Sequence, residues 1–157
     1  MDERYIDGYR ACLGEVARER KYLCFVDAPP AAQSRSFVAS AIAKKSPFFV
    51  AVAGRRVVGW CDIYPSSFEG FRHKGTLGMG ISAEFRGQGI GLRLIKAALA
   101  AARRGGFKRV ELDVFASNKA AIKLYKKLGF ATEGRKRNAR KIDGRYDDIF
   151  VMARLFR

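Results

Sequence analysis

The spacing of apolar and polar positions in the first half of the chain predicts two helices followed by two strands. Residues 5–20 place apolar side chains on one helical face, and residues 34–43 form a shorter helical stretch after a Pro-Pro break. Residues 48–53 and 57–64 are apolar runs of strand length with a glycine-containing turn between them. The side chains that define the first helical face are Tyr9, Leu13, Val16 and Ala17.

A third strand is predicted over residues 76–82, and its two faces differ. Leu77, Met79 and Ile81 supply apolar side chains on one face. Gly78 and Gly80 occupy the alternating positions. The pattern therefore predicts a strand with one apolar face and one unusually bare face.

The second half of the chain alternates helices with strands. Residues 89–104 repeat apolar positions at helical spacing and end at a Gly-Gly pair. Residues 109–115 show strand alternation. Ser117 or Asn118 is then positioned to cap another helix, which Gly129 closes.

Two final strands are predicted over residues 130–137 and 147–156. No repeat, long linker or low-complexity tract divides the sequence. Residues 1–157 are therefore predicted to form one domain, an α/β layer with a partly antiparallel sheet.

The segment Arg86-Gly87-Gln88-Gly89-Ile90-Gly91 joins the third strand to the following helix. Its small residues allow the backbone to approach a bulky anion, and the free N–H groups of the helix start point toward such an anion. It lacks the Lys-Ser/Thr of a Walker A loop, and Leu92 stands where a Rossmann fingerprint has its third glycine. Its chemistry predicts a phosphate site, with an ordinary glycine-rich turn as the alternative.

Two blocks of this sequence resemble the GNAT superfamily of N-acetyltransferases. Arg86-x-x-Gly89-x-Gly91 is similar to the first family signature, whose loop amides bind the pyrophosphate of CoA. Residues 112–118, 121–125 and 128–130 are similar to the second signature, in the expected order and spacing. The resemblance extends over residues 48–152.

The resemblance implies an α/β (α+β) fold of three layers. Its central sheet is mixed and mostly antiparallel, helices flank it, and its strands splay at the acetyl-CoA site. Members of the family usually open with a strand, whereas helical spacing here begins almost at Met1. We therefore expect the usual first strand to be absent here, either because the sheet lacks it or because the sequence begins after it.

The implied activity is that of an acyltransferase, an acetyl-CoA-dependent N-acetyltransferase that acts on a primary amine without a metal. Tyr125 matches the tyrosine that protonates the departing thiolate, and Asp113 lies where some relatives carry a carboxylate base. The glycines at 78 and 80 match the point where the family strand parts from its neighbour. By position, the residues implied to bind the pantetheine arm and thioester are Ile81, Ser82, Ala83 and Asn118, and those implied to hold the pyrophosphate are Arg86, Gly87, Gln88, Gly89, Ile90 and Gly91.

Several of these roles have structural alternatives. Tyrosine, with an ordinary pKa of ~10, stays protonated at neutral pH and can donate to a thiolate, but Tyr125 also fits an apolar core stripe. The base that deprotonates the amine is either Asp113 or an ordered water. Trp60 and Tyr64 share one strand face, where they either line the amine pocket or belong to the core.

The formal net charge of +16 is concentrated in the second half of the chain. Residues 1–85 hold twelve Lys and Arg against nine Asp and Glu, whereas residues 86–157 hold nineteen against six. Such a field attracts polyanions, or it forms a solvated basic surface. Two alternative functions therefore stay open: a non-catalytic acetyl-CoA-binding module, and a basic protein that associates with RNA or the ribosome.

The predicted partners follow from the implied acetyl transfer and from the basic charge. They are a small amine or a peptide amine, and also a ribosomal or other acidic macromolecule. A homodimer stays open as well. The sequence shows no signal peptide, no membrane span and no CxxC motif, and the three cysteines favour a cytoplasmic protein with reduced thiols. His73 is the only histidine, which argues against a Ser-His-Asp or Cys-His site.

Overall fold

The computed structural model describes residues 1–156, which form four α-helices and a six-stranded sheet. The helices are α1 (Ile6–Arg18), α2 (Ala31–Ala43), α3 (Ile90–Arg104) and α4 (Lys119–Lys127). The strands are β1 (Phe48–Ala53), β2 (Arg56–Pro65), β3 (Lys74–Ile81), β4 (Arg109–Phe115), β5 (Ala131–Ile142) and β6 (Arg145–Leu155). Every helix and strand predicted from the sequence is present, with shifts at several ends.

The strands lie in the order β1-β2-β3-β4-β6-β5. All neighbouring strands pair antiparallel except β3 and β4, which run parallel. A parallel pair requires a long crossover connection, and the segment that contains α3 supplies it. The mixed, mostly antiparallel sheet confirms the predicted fold class.

Helices cover the sheet on both faces and complete the three layers. Alternating positions of each strand point to opposite faces, so β2 sends Trp60 toward α1 and Cys61 toward α3 and α4. Tyr9 of α1 packs edge-on against Trp60, with their ring centroids 5.6 Å apart. On the other face, Ile95 of α3 is completely buried against the sheet.

The hairpin of β5 and β6 is longer than predicted. Strand β5 continues to Ile142. Its second half was not predicted because its residues are mostly exposed and basic, so no hydrophobic alternation marks it. The turn uses Asp143 and Gly144, both with positive φ (49° and 73°), as a tight hairpin turn of primed type requires. The side chain of Arg20, just after α1, binds Asp143 through two hydrogen bonds of 3.0 and 2.7 Å. The hairpin tip is thereby tied to the segment between α1 and α2.

Within residues 1–156, no strand precedes Phe48, as expected, and β1 forms an edge of the sheet. In the same part of the chain, no helix is both long enough and apolar enough to cross a membrane. No group of His, Cys, Asp and Glu there has the arrangement of a metal site.

Candidate active site

A gap opens in the middle of the sheet where β3 and β4 part. The two strands pair only from Lys74 to Thr76 on β3, opposite Arg109 to Glu111 on β4. Beyond Thr76, β3 continues to Ile81 and β4 to Phe115 without further pairing to each other. This agrees with the predicted splay.

The alternation of β3 directs backbone groups into this gap. Ser82 N–H donates to Val58 O of β2 at 2.9 Å. In the antiparallel register of β2 and β3, the N–H groups of the even-numbered residues of β3 therefore point toward β2. The N–H groups of Met79 and Ile81 then face the opposite side, where β4 has departed. Ser82, which was predicted to bind the cofactor, already uses its backbone N–H in the bond to Val58. Met79 was not among the site residues predicted from the sequence. Strand alternation was the signal that could have identified it.

The bare face of β3 accommodates two side chains from β2. Trp60 lies opposite Gly80 and Asp62 opposite Gly78 in the antiparallel register. A Cβ at Gly80 would come within 2.3 Å of the Trp60 ring, and a Cβ at Gly78 would lie 3.2 Å from Asp62 Oδ1. The two glycines therefore allow the side chains of β2 to lie across β3 toward the gap.

The loop that precedes α3 has the open backbone expected of an anion site. Gly87 and Gly89 have φ of +73° and +78°, which favours glycine, and no atom lies within 4 Å of where their Cβ would be. Gly89 is the N-cap residue of α3, and no side chain caps the first N–H groups of that helix. Gly91 packs closely on Met79, which would be 3.3 Å from a Cβ there. The loop thus presents backbone donors beside β3.

Arg86 has a structural role in this arrangement. Both terminal nitrogens of its guanidinium bind the Glu19 carboxylate, one at 2.8 Å, and Nε donates to Ile81 O at 2.9 Å. The guanidinium also lies 4.7 Å from the centre of the Tyr22 ring. Arg86 therefore fixes the end of β3 to α1, and its forked charge is directed at Glu19.

The turn between β3 and the loop is held by a second polar cluster. Ser82 Oγ donates to Glu15 of α1 at 2.8 Å, and Arg56 binds both Glu15 and Glu84. Ala83 lies in the following 3-10 turn, and Gln88 Nε2 donates to the Glu84 carbonyl at 3.1 Å. These contacts set the position of the loop without using its backbone donors.

Asn118 is the N-cap residue of α4. Its Oδ1 accepts a hydrogen bond of 3.2 Å from Ala121 N–H, so the choice between Ser117 and Asn118 as cap is resolved. The binding of pantetheine by its side-chain amide stays a prediction. Ser117 Oγ instead donates to Asp147 at 2.5 Å.

Tyr125 lies on α4, on the same side of the sheet as the loop. It is 7% exposed, and its ring centroid lies 5.8 Å from that of Phe130. Burial, with a smaller contribution from Cys61, raises the pKa of Tyr125 above its ordinary value. The phenol therefore keeps its proton at neutral pH, as a general acid must. Because the same packing suits a core tyrosine, the catalytic role stays a prediction.

Asp113 is on the opposite face of the sheet. Its side chain is half exposed, and Lys136 Nζ donates to Oδ2 at 2.6 Å. Glu111, two residues earlier on the same face, is bound by Lys74 and Arg109. Both carboxylates of β4 are therefore paired with cations in this structure.

A cavity of about 290 Å³ lies on the α1 and α2 face and reaches β3 at Gly78 and Met79. Trp60 lines it and also belongs to the buried core on this face, whereas Tyr64 stacks on Phe37 and is not in the lining. The lining residues are Tyr9, Leu13, Leu23, Cys24, Phe25, Pro29, Gln33, Ser34, Phe37, Trp60, Asp62, Gly78 and Met79.

Asp62 is the acidic residue of that cavity and is not among the sequence-predicted site residues. It is 8% exposed, and burial raises its pKa to about 7. A lone aspartate in an otherwise apolar strand was the available signal. Its significance depends on the pairing with Gly78, which the sequence does not reveal.

Comparison with known proteins identifies the family. Residues 14–130, well over half of the chain, match the model of the acetyltransferase (GNAT) family. The chain belongs to the GNAT family. The gap between β3 and β4 is the strand splay that the resemblance implied.

Solved GNAT structures share the complete fold. A ribosomal-protein-alanine N-acetyltransferase from Brucella melitensis superimposes with a TM-score of 0.91, covering 99% of this chain and 97% of that one at 23% identity. An acetyltransferase from Salmonella typhimurium, solved with acetyl-CoA, superimposes with a TM-score of 0.91, covering 99% and 90% at 18% identity. These likenesses confirm the fold.

Relatives in sequence are N-acetyltransferases and other acetyltransferases. The mycothiol acetyltransferase of Geodermatophilus obscurus is 37% identical over 86 residues, 53% of this chain and 28% of that protein. The L-amino acid N-acetyltransferase of Escherichia coli is 31% identical over 84 residues, 53% of this chain and 52% of that protein. The chain thus spans about a quarter to a half of these two GNAT relatives.

The basic surface of this GNAT domain is partly neutralised by its own carboxylates. In the cluster from residue 135 to 141, Arg135 binds Asp148 and Lys136 binds Asp113. Arg140 donates to the Arg20 carbonyl at 2.7 Å. The exposed lysines of α4 form a separate basic face, which consists of Lys119, Lys123, Lys126 and Lys127.

Proposed function

We propose that this protein transfers the acetyl group of acetyl-CoA to a primary amine by direct attack in a ternary complex. One observation carries the proposal: the gap between β3 and β4 has the glycine loop on one face of the sheet and the cavity on the other. A phosphate-bearing thioester and an amine can therefore approach the gap from opposite sides. A structural neighbour that contains acetyl-CoA supports acetyl-CoA as the co-substrate.

On the thioester side, backbone groups are the main binding elements. The open N–H groups from Gly87 to Gly91 bind the pyrophosphate, helped by the dipole of α3. Gln88 and Ile90 contribute through their backbone, while Arg86 acts by holding the end of β3. The amides of Ile81 and the neighbouring Met79, and the side-chain amide of Asn118, bind the pantetheine and thioester. Ser82 and Ala83 shape the turn between strand and loop.

The reaction begins with a neutral amine, because an ammonium has no free electron pair. Its nitrogen attacks the thioester carbon, and the N–C bond forms while negative charge develops on the carbonyl oxygen. Backbone N–H groups of β3 stabilise that charge, typically by a few kcal/mol. The C–S bond then breaks with its electron pair on sulfur, and Tyr125 O–H protonates the thiolate. The nitrogen's extra proton returns to Tyr125, so the tyrosine is regenerated.

The acceptor is an amino acid, a peptide or protein N-terminus, or another small amine. Relatives of this chain carry names from both of the first two classes. The lysine face of α4 supports an acidic macromolecular partner, such as a ribosomal particle, for a protein acceptor. Such a partner would bind through charge and would dissociate with added salt.

Calorimetric titration with acetyl-CoA, followed by a thiol-release assay over amines, tests the proposal. We expect acetyl-CoA to bind and CoA to be released only when an accepted amine is present. Binding without release by any amino acid, aminoglycoside, polyamine or peptide would favour the non-catalytic acetyl-CoA-binding module. Failure of folded protein to bind acetyl-CoA would refute the loop assignment. Salt-sensitive RNA binding without acetyl-CoA would then favour the RNA-associated alternative.

A further inference from the structure

We propose that the cavity on the α1 and α2 face is the acceptor site, that it takes a primary amine on an apolar group without a neighbouring carboxylate, and that Asp62 is the general base. This inference rests on the proposed acetyl transfer. Its observations are independent of the loop. They are the burial of Asp62, its position over Gly78, and the chemistry of the cavity walls.

The position of Asp62 places a carboxylate at the gap. Its Oδ1 would lie 3.2 Å, and its Oδ2 3.6 Å, from a Cβ at Gly78, which is beyond Thr76, the last residue of β3 that pairs with β4. The influences on its pKa are burial and its own backbone amide, and no cation contributes. A buried carboxylate without a cationic partner is costly, and an ammonium ligand supplies the missing partner.

The walls of the cavity indicate what carries this amine. Tyr9, Phe37 and Trp60 provide aromatic surface, and aromatic faces attract an ammonium as well as an apolar group. None of the described residues in the lining carries a positive charge. A carboxylate next to the amine would therefore lie near Asp62 without a counter-ion. The cavity thus favours an apolar primary amine over a free amino acid.

A second polar group in the cavity also lacks a partner. Ser34 Oγ of α2 is buried, the residue being 4% exposed, and it has no hydrogen-bond partner within residues 1–156. Ser34 lies in the lining with Asp62. Buried polar atoms without partners are rare, and a ligand donor or acceptor would satisfy this hydroxyl.

Asp62 fits the role of base better than Asp113 does. Asp113 is half exposed, accepts a hydrogen bond from Lys136, and does not line the cavity. Its charge is already paired with Lys136, and it lies away from the apolar walls. Asp62 has neither a cationic partner nor free access to solvent.

Asp62 and Tyr125 each take part in the proton transfers of the reaction. Asp62 accepts one proton from the ammonium, which frees the electron pair of nitrogen, and later releases that proton to solvent. Nitrogen forms the amide bond as the C–S bond breaks, and Tyr125 supplies the proton of the thiol and regains one from nitrogen. The net products are the amide, CoA thiol and one proton in solution.

Amine binding can be measured without acetyl-CoA because Trp60 is the only tryptophan of the chain. We expect 2-phenylethylamine to change Trp60 fluorescence saturably in the wild type, and at least tenfold more weakly in Asp62→Asn. Phenylalaninamide and phenylalanyl-glycinamide distinguish a free amine from a peptide N-terminus as the source of this chemistry. Phenylalanine, which adds only a carboxylate, should bind at least tenfold more weakly than phenylalaninamide. Equal binding of these two compounds, or no saturable signal with any amine, would overturn the proposed site.

The role as base is tested by turnover as a function of pH. Asp62→Asn should lower kcat by about 10²-fold or more and remove the rise in activity near pH 7, while the Kd for acetyl-CoA stays unchanged. Asp113→Asn is the matched carboxylate variant and should keep this rise. The other titratable groups near Asp62 are Tyr9 of α1, Cys61 of β2 and, in the lining, Cys24. Loss of the rise in Asp113→Asn or in Cys24→Ser, with the rise kept in Asp62→Asn, would overturn the assignment of Asp62. Failure of wild-type protein to bind acetyl-CoA would instead count against the proposed transfer and leave the fluorescence result standing.

Discussion

The carboxyl group of Asp62 lies over Gly78 on the neighbouring strand, at a distance that leaves no spare room for a side chain. A Cβ at Gly78 would be 3.2 Å from Oδ1, inside ordinary van der Waals contact. The pair is set by the register of β2 and β3, which also places Trp60 opposite Gly80. Two glycines of one strand thereby determine where two side chains of another strand can lie. The first two predictions test this relationship.

Replacing Gly78 with alanine should displace the Asp62 carboxyl by a few tenths of an ångström. We expect Gly78→Ala to lower kcat about tenfold, since catalytic groups act within narrow geometric limits. The loss of stability should stay near 1 kcal/mol. Steady-state kinetics and thermal unfolding measure the two effects. Gly134→Ala, where a Cβ meets nothing within 4 Å, is the control and should change neither. Wild-type turnover in Gly78→Ala would show that the position of Asp62 is not critical.

The same substitution at Gly80 should instead act on stability. Its Cβ would meet carbons of the Trp60 ring at 2.3, 2.5 and 3.0 Å, and the buried ring has little room to move. Overpacking of this kind costs about 1–3 kcal/mol. Urea unfolding of Gly80→Ala measures this cost, and Trp60→Phe in the same chain should recover part of it through coupling. Purely additive effects of the two substitutions would contradict the contact.

How much of this site could be predicted depends on how local each signal is. The loop from Gly87 to Gly91 was predictable because glycine spacing, positive φ and a helix start are features of one short segment. The cap of α4 was likewise narrowed to Ser117 or Asn118 by its place before a helix, and the structure shows Asn118. The strands were predicted wherever one face is buried. The predicted end of β5 came too early because the exposed residues of its second half show no alternation.

The remaining features are pairings between distant segments. Arg86 was predicted to face a phosphate, yet its guanidinium binds Glu19, 67 residues earlier in the chain. Asp62 lies opposite Gly78 because of a strand register, and tertiary packing buries it. Neither partner can be read from spacing along the sequence. Tertiary packing therefore determined the parts of the site that sequence patterns could not.

Tyr125→Phe tests the proposed acid. The ring packs on Phe130 and is buried, so the variant should keep the fold and the Kd for acetyl-CoA. Loss of the donated proton should lower kcat by about 10²-fold, because general acids typically contribute at least this much. Tyr146→Phe, at an exposed position on the β5–β6 hairpin, provides the control. Equal turnover in the variant and the wild type, with chemistry rate-limiting, would remove Tyr125 from the mechanism.

A glutamate at Gly89 should abolish acetyl-CoA binding, because it adds bulk and negative charge where the pyrophosphate is proposed to lie. The matched control is Gly106→Glu, after the opposite end of α3. Gly106 has a similar φ of +84°, and its Cβ would also meet no atom within 4 Å. Both variants carry the same charge and similar backbone strain, so a difference between them reports the site. Calorimetry with acetyl-CoA makes the comparison, and equal affinities in the two folded variants would refute the placement.

The burial of Asp62 should make stability depend on pH in a defined direction. Its pKa is about 7 in the folded protein, against 3.8 for an ordinary aspartate, so between these values the unfolded chain loses its proton first. Rising pH therefore favours unfolding across this window by up to about 1.4 kcal/mol per pH unit, and the effect levels off above pH 7. Asp62→Asn lacks this titration. From pH 4 to pH 7, its free energy of unfolding should rise relative to that of the wild type by at most about 4 kcal/mol. Urea unfolding across this range measures the difference, which should stay constant for Gly134→Ala. A constant difference for Asp62→Asn as well would mean that the folded protein leaves Asp62 ionised with an ordinary pKa.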